Sequence, residues 1–166
     1  GTMGFGLPAA MGVQMAHPEA VSTVVTGDGS IQMNIQELAT CMQYNLPIKI
    51  ISLNNRALGM VRQWQKLYYK GRMSASDKSL HRKDFVKTAQ ADGFKYSQKL
   101  DKKKNLKSTI KKFIGFKGSA FLEVIIDPDA GVYPMVGPGQ TYDKMITGEW
   151  IENRNSVIDK EPDKSS

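Results

Sequence analysis

Three short apolar runs, separated by helical patterns, limit this chain to a small set of folds. The runs are Val21–Thr26, Ile48–Leu53 and Ala120–Ile126, and β-branched residues in such runs are typical of buried strands. Helical spacing predicts helices over about 5–16, 32–44, 57–69, 83–92 and 102–115, and a further short strand over 94–98. Strands that alternate with helices predict an α/β fold, a parallel sheet with helices on both faces.

Length and composition favour one domain. The chain has 166 residues, of which 40% are hydrophobic, enough to bury a core. We predict a domain over 1–150 and a polar tail over 151–166. The single cysteine, Cys41, excludes an internal disulfide framework and favours a reducing, cytoplasmic location. The uncharged run 1–18 is rich in glycine and does not fit a membrane span, so we expect no membrane association.

The positive charge is concentrated in one segment. Residues 95–117 hold nine lysines and one acid, which gives that segment +8 of a net chain charge of +7, so the remainder sums to −1. A basic run of this kind can be a nucleic-acid patch. No aromatic residue interleaves these lysines on the polar face of the predicted helix. We therefore interpret the run as a solvated helix face and expect no nucleic-acid partner.

Two polar motifs follow the first two predicted strands directly. Gly27-Asp28-Gly29-Ser30 follows the first strand, and Asn54-Asn55 follows the second. Each motif alone is commonly a turn or a cap. In open parallel sheets, however, ligands bind at the carboxyl ends of the strands, and neighbouring strands would bring the two motifs together. Glycines leave room for a cation beside Asp28, and the following helix N-terminus favours an anion.

The residues at these strand ends match the donors that Mg²⁺ prefers. Asp28 offers a carboxylate, Asn55 an amide oxygen, and Ala57 a backbone carbonyl two residues further on. With diphosphate oxygens and water, such hard oxygen ligands complete an octahedral site. The sequence thus predicts a magnesium site that clamps a diphosphate.

Longer stretches around these motifs resemble a known family. GTMGFGLPAAMG at 1–12, TGDGSIQMNIQEL at 26–38, LNNRALGMVRQWQ at 53–65 and VYPMV at 132–136 resemble the C-terminal domain of the acetolactate synthase catalytic subunit, a thiamine-diphosphate enzyme. The resemblance runs in order from residue 1 to about 146. It is weaker over 70–120 and nearly absent in the last 15 residues. It implies a thiamine-diphosphate-binding fold.

The resemblance implies a metal site and a cofactor cradle. It makes Asp28, Asn55 and the carbonyl of Ala57 the Mg²⁺ ligands. The positions matched to cofactor binding are Gly1, Met3, Gly27, Asp28, Gly29, Ser30, Asn55, Ala57, Leu58, Gly59, Met60 and Val61. Among these, Met3 matches the bulky residue that holds the cofactor bent. Met60 and Trp64 match residues that recognise the substrate.

The activity implied is that of a transferase. It is the thiamine-diphosphate-dependent decarboxylation of pyruvate and its condensation with a second 2-oxo acid, pyruvate or 2-oxobutyrate, in branched-chain amino-acid synthesis. The products are 2-acetolactate and 2-aceto-2-hydroxybutyrate. The family also implies FAD in the whole enzyme, a second catalytic subunit in a homodimer or larger oligomer, and a small regulatory subunit.

The family's essential glutamate lies on an N-terminal pyrimidine-binding domain. We expect that domain and the FAD-binding domain to be absent from these 166 residues. No catalytic residue is therefore assigned within them.

Two alternative functions stay open at this point. Other thiamine-diphosphate enzymes, such as pyruvate oxidase, carboligases and 2-oxo acid decarboxylases, share the metal motif. Gly4-x-Gly6-x-x-Ala9 also resembles the fingerprint of an NAD-binding domain. That reading lacks a strand before Gly4 and gives Asn54-Asn55 no role.

Overall fold

A four-stranded parallel sheet forms the centre of the computed structural model, which describes residues 1–76 and 83–148. The strand order is β1-β2-β4-β3, with the bounds β1 (Thr23–Gly27), β2 (Lys49–Asn54), β3 (Tyr96–Leu100) and β4 (Ala120–Ile125). Every pairing is parallel. This confirms the predicted α/β fold class and all four predicted strands. The predicted tail 151–166 lies outside the described residues.

One helix precedes β1, and the other helices lie between successive strands. The helices are α1 (Gly6–Ala16), α2 (Asp28–Gln32), α3 (Glu37–Gln43), α4 (Gly59–Tyr68), α5 (Phe85–Ala91) and α6 (Leu106–Gly115), with short 3₁₀ turns at Lys103–Asn105 and Tyr142–Lys144. Four of the five predicted helices are confirmed within a few residues. The prediction of one helix over 32–44 is wrong, because two shorter helices, α2 and α3, lie around a break at 33–36.

Tight turns produce this break. Met33 N donates to Ser30 O at 3.2 Å and Glu37 N donates to Asn34 O at 3.0 Å, and both are i→i+3 bonds of the 3₁₀ type. The Asn34 side-chain amide donates to the carbonyl of Gly4. Through this bond, the residues at the break are attached to the segment before α1. The periodicity of the sequence does not predict such a contact.

Side-chain alternation along the strands gives the sheet an apolar core on each face. Val24, Ile50 and Phe121 are aligned across β1, β2 and β4 and pack in one cluster with residues of α1, α3 and α5. Leu122 points to the other face, where its cluster includes Phe113 of α6. Successive strand residues face opposite sides, so helices on both faces account for runs that are apolar almost throughout.

Cover on the α6 face is incomplete. α6 contacts β3 and β4, whereas Val25 of β1 is 61% exposed on the same face, aligned with the partly buried Ile51. Within the described ranges, β2 is the one strand that pairs with β1. In the part of the chain that the structure describes, the β1 side of the sheet therefore has both an open edge and an exposed apolar face.

The nine lysines of residues 95–117 are all exposed. The prediction that they form one helix face is wrong, because only Lys107, Lys111 and Lys112 lie on α6. Lys99 lies on β3, and the other five lie in the flanking segments. Lys99 Nζ also lies 3.3 Å from Glu123 Oε2. In the described part of the chain, no helix combines the length and apolar character needed to cross a bilayer.

The chain divides into two compact units, Gly1–Pro128 and Asp129–Ser166. The first contains the sheet and the six α-helices of the described residues. In the second, Met135 and Ile146 form an isolated antiparallel bridge, with N–O distances of 2.9 and 2.8 Å. The predicted boundary between 150 and 151 lies outside the described residues and stays a prediction.

One buried glutamine fixes the connection from α1 to β1. Gln14 is 2% exposed, and its Nε2 lies 3.1 Å from both Pro18 O and Ala20 O. Its Oε1 accepts from Ser22 N at 3.3 Å. The side chain thus binds backbone groups of the turn after α1 and satisfies the buried amide of Ser22.

We expect Gln14→Ala to lower the free energy of unfolding by about 1–3 kcal/mol, the cost of leaving buried polar groups unsatisfied. Urea denaturation followed by circular dichroism measures the change. The exposed Gln43→Ala in α3 is the control and should shift it by less than about 0.5 kcal/mol. Equal effects of the two substitutions would contradict the role given to Gln14.

Cys41 is fully buried in the α1–α3–α5 core. Burial, and secondarily the charge of Glu37, raise the pKa of its thiol to about 11. Because the thiolate is the reactive form, we expect the native chain to resist alkylation at pH 8 and the urea-unfolded chain to react rapidly. Mass spectrometry after iodoacetamide treatment measures this, and rapid labelling of the native chain would count against a closed core.

Candidate functional site

The register of β1 and β2 brings the two polar motifs together. Gly27 is aligned with Leu53, so Asp28 and Asn54-Asn55 emerge from adjacent strands at the carboxyl edge of the sheet. Asp28 is the first residue of α2 and is 4% exposed. This is the proximity that the sequence predicts.

The loop after β2 is shaped by its own asparagines. Asn54 Oδ1 accepts from Arg56 N at 2.9 Å, and Asn55 Oδ1 accepts from Ala57 N at 3.0 Å. Arg56 has φ +54°, a left-handed conformation that is costly for a residue with a side chain. The two side-chain bonds hold the loop in this conformation, and Ala57 is buried within it.

Gly59, the first residue of α4, makes room for Asn55. A Cβ added at Gly59 would lie 2.8 Å from Asn55 Nδ2, closer than non-bonded atoms approach. Any side chain at position 59 would therefore displace the amide of Asn55.

The segment before α1 is attached to the first motif. Gly4 N donates to Ser30 Oγ at 3.0 Å. Gly4 has φ +82°, and a Cβ there would lie 3.3 Å from Met33 Cβ. These contacts attach Gly4 to α2, and the exposed Gly1 and Met3 precede Gly4 directly in the chain.

Helix α4 exposes an apolar stripe. Met60, Val61, Trp64, Leu67 and Tyr68 are all exposed large apolar residues, and their spacing puts them on one side of the helix. The Trp64 and Tyr68 rings are 5.1 Å apart between centroids, at 57°. The predicted substrate residues Met60 and Trp64 thus share one surface, and Leu58 precedes it at the start of the helix.

Segment 72–76 folds back onto α4. Leu58 N donates to Ser76 O at 2.9 Å, and Ser76 Oγ donates to Gln65 Oε1 at 2.5 Å. Gln65 Nε2 in turn donates to Ser74 O at 2.9 Å. These bonds attach both the start and the middle of α4 to segment 72–76.

Sequence reasoning missed Glu123 and its contact with Asn54 behind the loop. Asn54 Nδ2 donates to Glu123 Oε1 at 2.7 Å, and Glu123 is 2% exposed. The available signal was a charged residue in the middle of the apolar run Ala120–Ile126. A single glutamate in a buried strand does not reveal its partner, which here lies 69 residues away.

The donor set fits a divalent cation bound together with an anionic ligand. The carboxylate of Asp28, the amide oxygen of Asn55 and backbone carbonyls are hard oxygen donors. Among the described residues, no group of three His, Cys, Asp or Glu side chains could hold a metal. A cation at this edge therefore needs neutral oxygens and ligand oxygens besides Asp28, as a bound diphosphate provides.

A parallel α/β sheet with this donor set at its carboxyl edge is typical of a domain that binds a phosphorylated cofactor. Residues 1–124 match the family model of the thiamine pyrophosphate enzyme C-terminal TPP binding domain. The chain belongs to this family, and thiamine diphosphate is the cofactor its domain is built to bind.

Relatives of known name narrow the comparison. The chain is 45% identical over 146 residues to the acetolactate synthase large subunit of Pyropia yezoensis, covering 88% of this chain and 25% of that protein. It is 48% identical over 149 residues to the acetolactate synthase isozyme 3 large subunit of Escherichia coli K12, covering 87% and 25%. The chain thus spans about a quarter of the length of these relatives.

A solved structure agrees with the fold. The thiamine diphosphate-dependent 4-hydroxybenzoylformate decarboxylase of Rhodococcus jostii RHA1 superposes with a TM-score of 0.64 at 31% identity. The match covers 75% of this chain and 23% of that one.

We expect Gly59→Ala to weaken thiamine diphosphate binding, because the new Cβ displaces the Asn55 amide. Isothermal titration with thiamine diphosphate at fixed Mg²⁺ measures the loss, which we expect to be about tenfold or more, as for a disturbed metal ligand. Gly12→Ala in α1, where a Cβ meets nothing within 4 Å, is the matched control and should leave binding unchanged. Unchanged affinity in Gly59→Ala would contradict the placement of Asn55 in the site.

Proposed function

We propose that residues 1–150 are the C-terminal thiamine-diphosphate- and Mg²⁺-binding domain of an acetolactate synthase. The reaction is the decarboxylation of pyruvate and its condensation with pyruvate or 2-oxobutyrate, which gives 2-acetolactate or 2-aceto-2-hydroxybutyrate. The observation that carries the proposal is the meeting of Asp28 and the Asn55 loop at one sheet edge. The relatives named acetolactate synthase support the choice of reaction.

The site residues divide into a metal clamp and a phosphate cradle. Asp28, Asn55 and the carbonyl of Ala57 would hold Mg²⁺. The diphosphate would lie against Gly27, Gly29 and Ser30. These small residues leave space for its oxygen atoms, and the first backbone amides of α2 can donate hydrogen bonds to them. Ser30 Oγ already accepts from Gly4 N, so the cradle and the segment before α1 are one structural unit.

Thiamine diphosphate, when bound, would supply the carbon that adds to the 2-oxo acid, and its thiazolium ring would accept the electron pair as carbon dioxide leaves. The chain's own contribution is to position the cofactor and to exclude water from it. Gly1 and Met3 lie on the segment attached to α2, where Met3 would hold the cofactor bent. Leu58, Gly59, Met60 and Val61 follow the metal loop and would line the cofactor pocket.

The exposed stripe of α4 supports both a substrate role and a partner. Trp64 and Met60 present apolar surface beside the metal loop, suited to the carbon chain of a 2-oxo acid. Five large apolar side chains on one helix form a surface of the kind that marks an interaction site. We propose a second catalytic subunit against this stripe, so that each site forms between two chains.

Further components follow from the same proposal. The whole enzyme would carry an N-terminal pyrimidine-binding domain with the essential glutamate and an FAD-binding domain. Relatives named large subunits support a small regulatory subunit as partner. The single buried cysteine supports a cytoplasmic location, where thiols stay reduced.

A decarboxylase is the second candidate function. Its support is the superposition with 4-hydroxybenzoylformate decarboxylase. Such an enzyme would release an aldehyde instead of joining two 2-oxo acids. Product analysis distinguishes the two.

The test is to supply the whole enzyme with pyruvate, Mg²⁺ and thiamine diphosphate and to identify the products by NMR. We expect 2-acetolactate and carbon dioxide. Acetaldehyde as the main product would favour the decarboxylase. The 166-residue chain alone should form no acetolactate, because the glutamate of the other domain is missing.

We expect Asp28→Asn to lower the rate of acetolactate formation at least about 100-fold, because a charged Mg²⁺ ligand is lost at the diphosphate. The control is Asp101→Asn, an exposed acid among the lysines, which should retain full activity. Full activity of Asp28→Asn at limiting Mg²⁺ would remove Asp28 from the metal site.

A further inference from the structure

A buried glutamate lies behind the metal loop and outside the predicted ligand set. Glu123 is aligned with Ser52 of β2 and Lys99 of β3 and is 2% exposed. Its Oε1 accepts from Asn54 Nδ2 at 2.7 Å, and its Oε2 lies 3.3 Å from Lys99 Nζ. A carboxylate is seldom buried without partners, and here one partner belongs to the residue that begins the loop.

The chemistry of these groups fixes the orientation of the Asn54 amide. An ionised carboxylate only accepts hydrogen bonds, whereas an amide donates from its nitrogen and accepts at its oxygen. Glu123 therefore turns Asn54 Nδ2 toward itself, which leaves Asn54 Oδ1 facing the loop. There it accepts from Arg56 N at 2.9 Å. Lys99 supplies the positive charge that balances the carboxylate.

The bond to Arg56 N matters because the loop is held in a costly conformation. Arg56 has φ +54°, and Ala57 N is bound in turn to Asn55 Oδ1 at 3.0 Å. If Asn54 releases Arg56 N, the turn that presents Asn55 and the carbonyl of Ala57 loses its first support.

We propose that Glu123 is a positioning residue for the metal site, acting through Asn54 on the loop that carries two of the three proposed Mg²⁺ ligands. This rests on the proposed function, in which that loop binds Mg²⁺. Glu123 lies outside the proposed ligand set, and it contacts Asn54 and Lys99. It selects the Asn54 amide orientation that holds the loop in its metal-binding conformation in the absence of Mg²⁺.

The experiment measures thiamine diphosphate binding to the whole enzyme by isothermal titration across a series of Mg²⁺ concentrations, without turnover. Glu123→Met keeps the volume and removes the acceptor. We expect it to raise the Mg²⁺ concentration for half-saturation about 10- to 100-fold, as for residues that orient metal ligands. Glu123→Gln keeps an acceptor for Asn54 and should change the Mg²⁺ concentration for half-saturation by less than about threefold.

Two controls separate positioning from general destabilisation. Leu122→Ala removes a fully buried side chain on the opposite face of the same strand, and should lower Tm while leaving the Mg²⁺ dependence unchanged. Lys99→Met removes the ion pair but keeps the bond between Asn54 and Glu123. It should likewise leave the Mg²⁺ dependence near the wild-type value. A parallel loss of Mg²⁺ affinity in Leu122→Ala would overturn the proposal.

A double variant tests the route through Asn54. If Glu123 acts through that amide, Asn54→Ala combined with Glu123→Met should bind Mg²⁺ no more weakly than Asn54→Ala alone. Additive losses would overturn the proposal, as would wild-type Mg²⁺ dependence in Glu123→Met. If the wild-type enzyme itself binds thiamine diphosphate without any need for Mg²⁺, the proposed function fails first and the inference with it.

Discussion

The parallel pairing of β1 with β2 is the interaction on which the rest of the structure depends. It sets Gly27 beside Leu53, and so it decides that the turn after β1 and the turn after β2 share one edge. A shift of β1 by one residue along β2 would exchange the two faces of β1 and move Val24 out of the core. The same ladder that buries these side chains therefore also fixes the spacing of the polar groups at the edge.

The polarity of the sheet changes along the strands. In the α1–α3–α5 core, the row Val24, Ile50 and Phe121 is apolar, whereas the next row toward the carboxyl ends contains Thr26, Ser52 and Glu123. Apolar rows stabilise the fold by removing surface from water. The polar row follows directly and supports the loops above it, so core and site are successive layers of one sheet.

The sequence contained enough to predict the strands, most helices and the meeting of the two motifs. These depend on local patterns: β-branched runs, helical spacing and polar residues directly after strands. Helical spacing did not predict the break between α2 and α3, or the bond from Asn34 to Gly4, 30 residues away, that forms there. The bond between Asn54 and Glu123 was hidden as well. Periodicity shows which face a residue occupies, but not which distant residue it meets there.

The open side of β1 has a consequence for how such a domain can be used. A free strand edge is a template for another strand, and exposed apolar side chains such as Val25 make association there favourable. β1 is also the strand that ends in the cofactor motif. Whatever covers this side would lie one strand away from Asp28 and would become part of the wall around it. Covering the exposed apolar surface of β1 would therefore also change the surroundings of the cofactor motif.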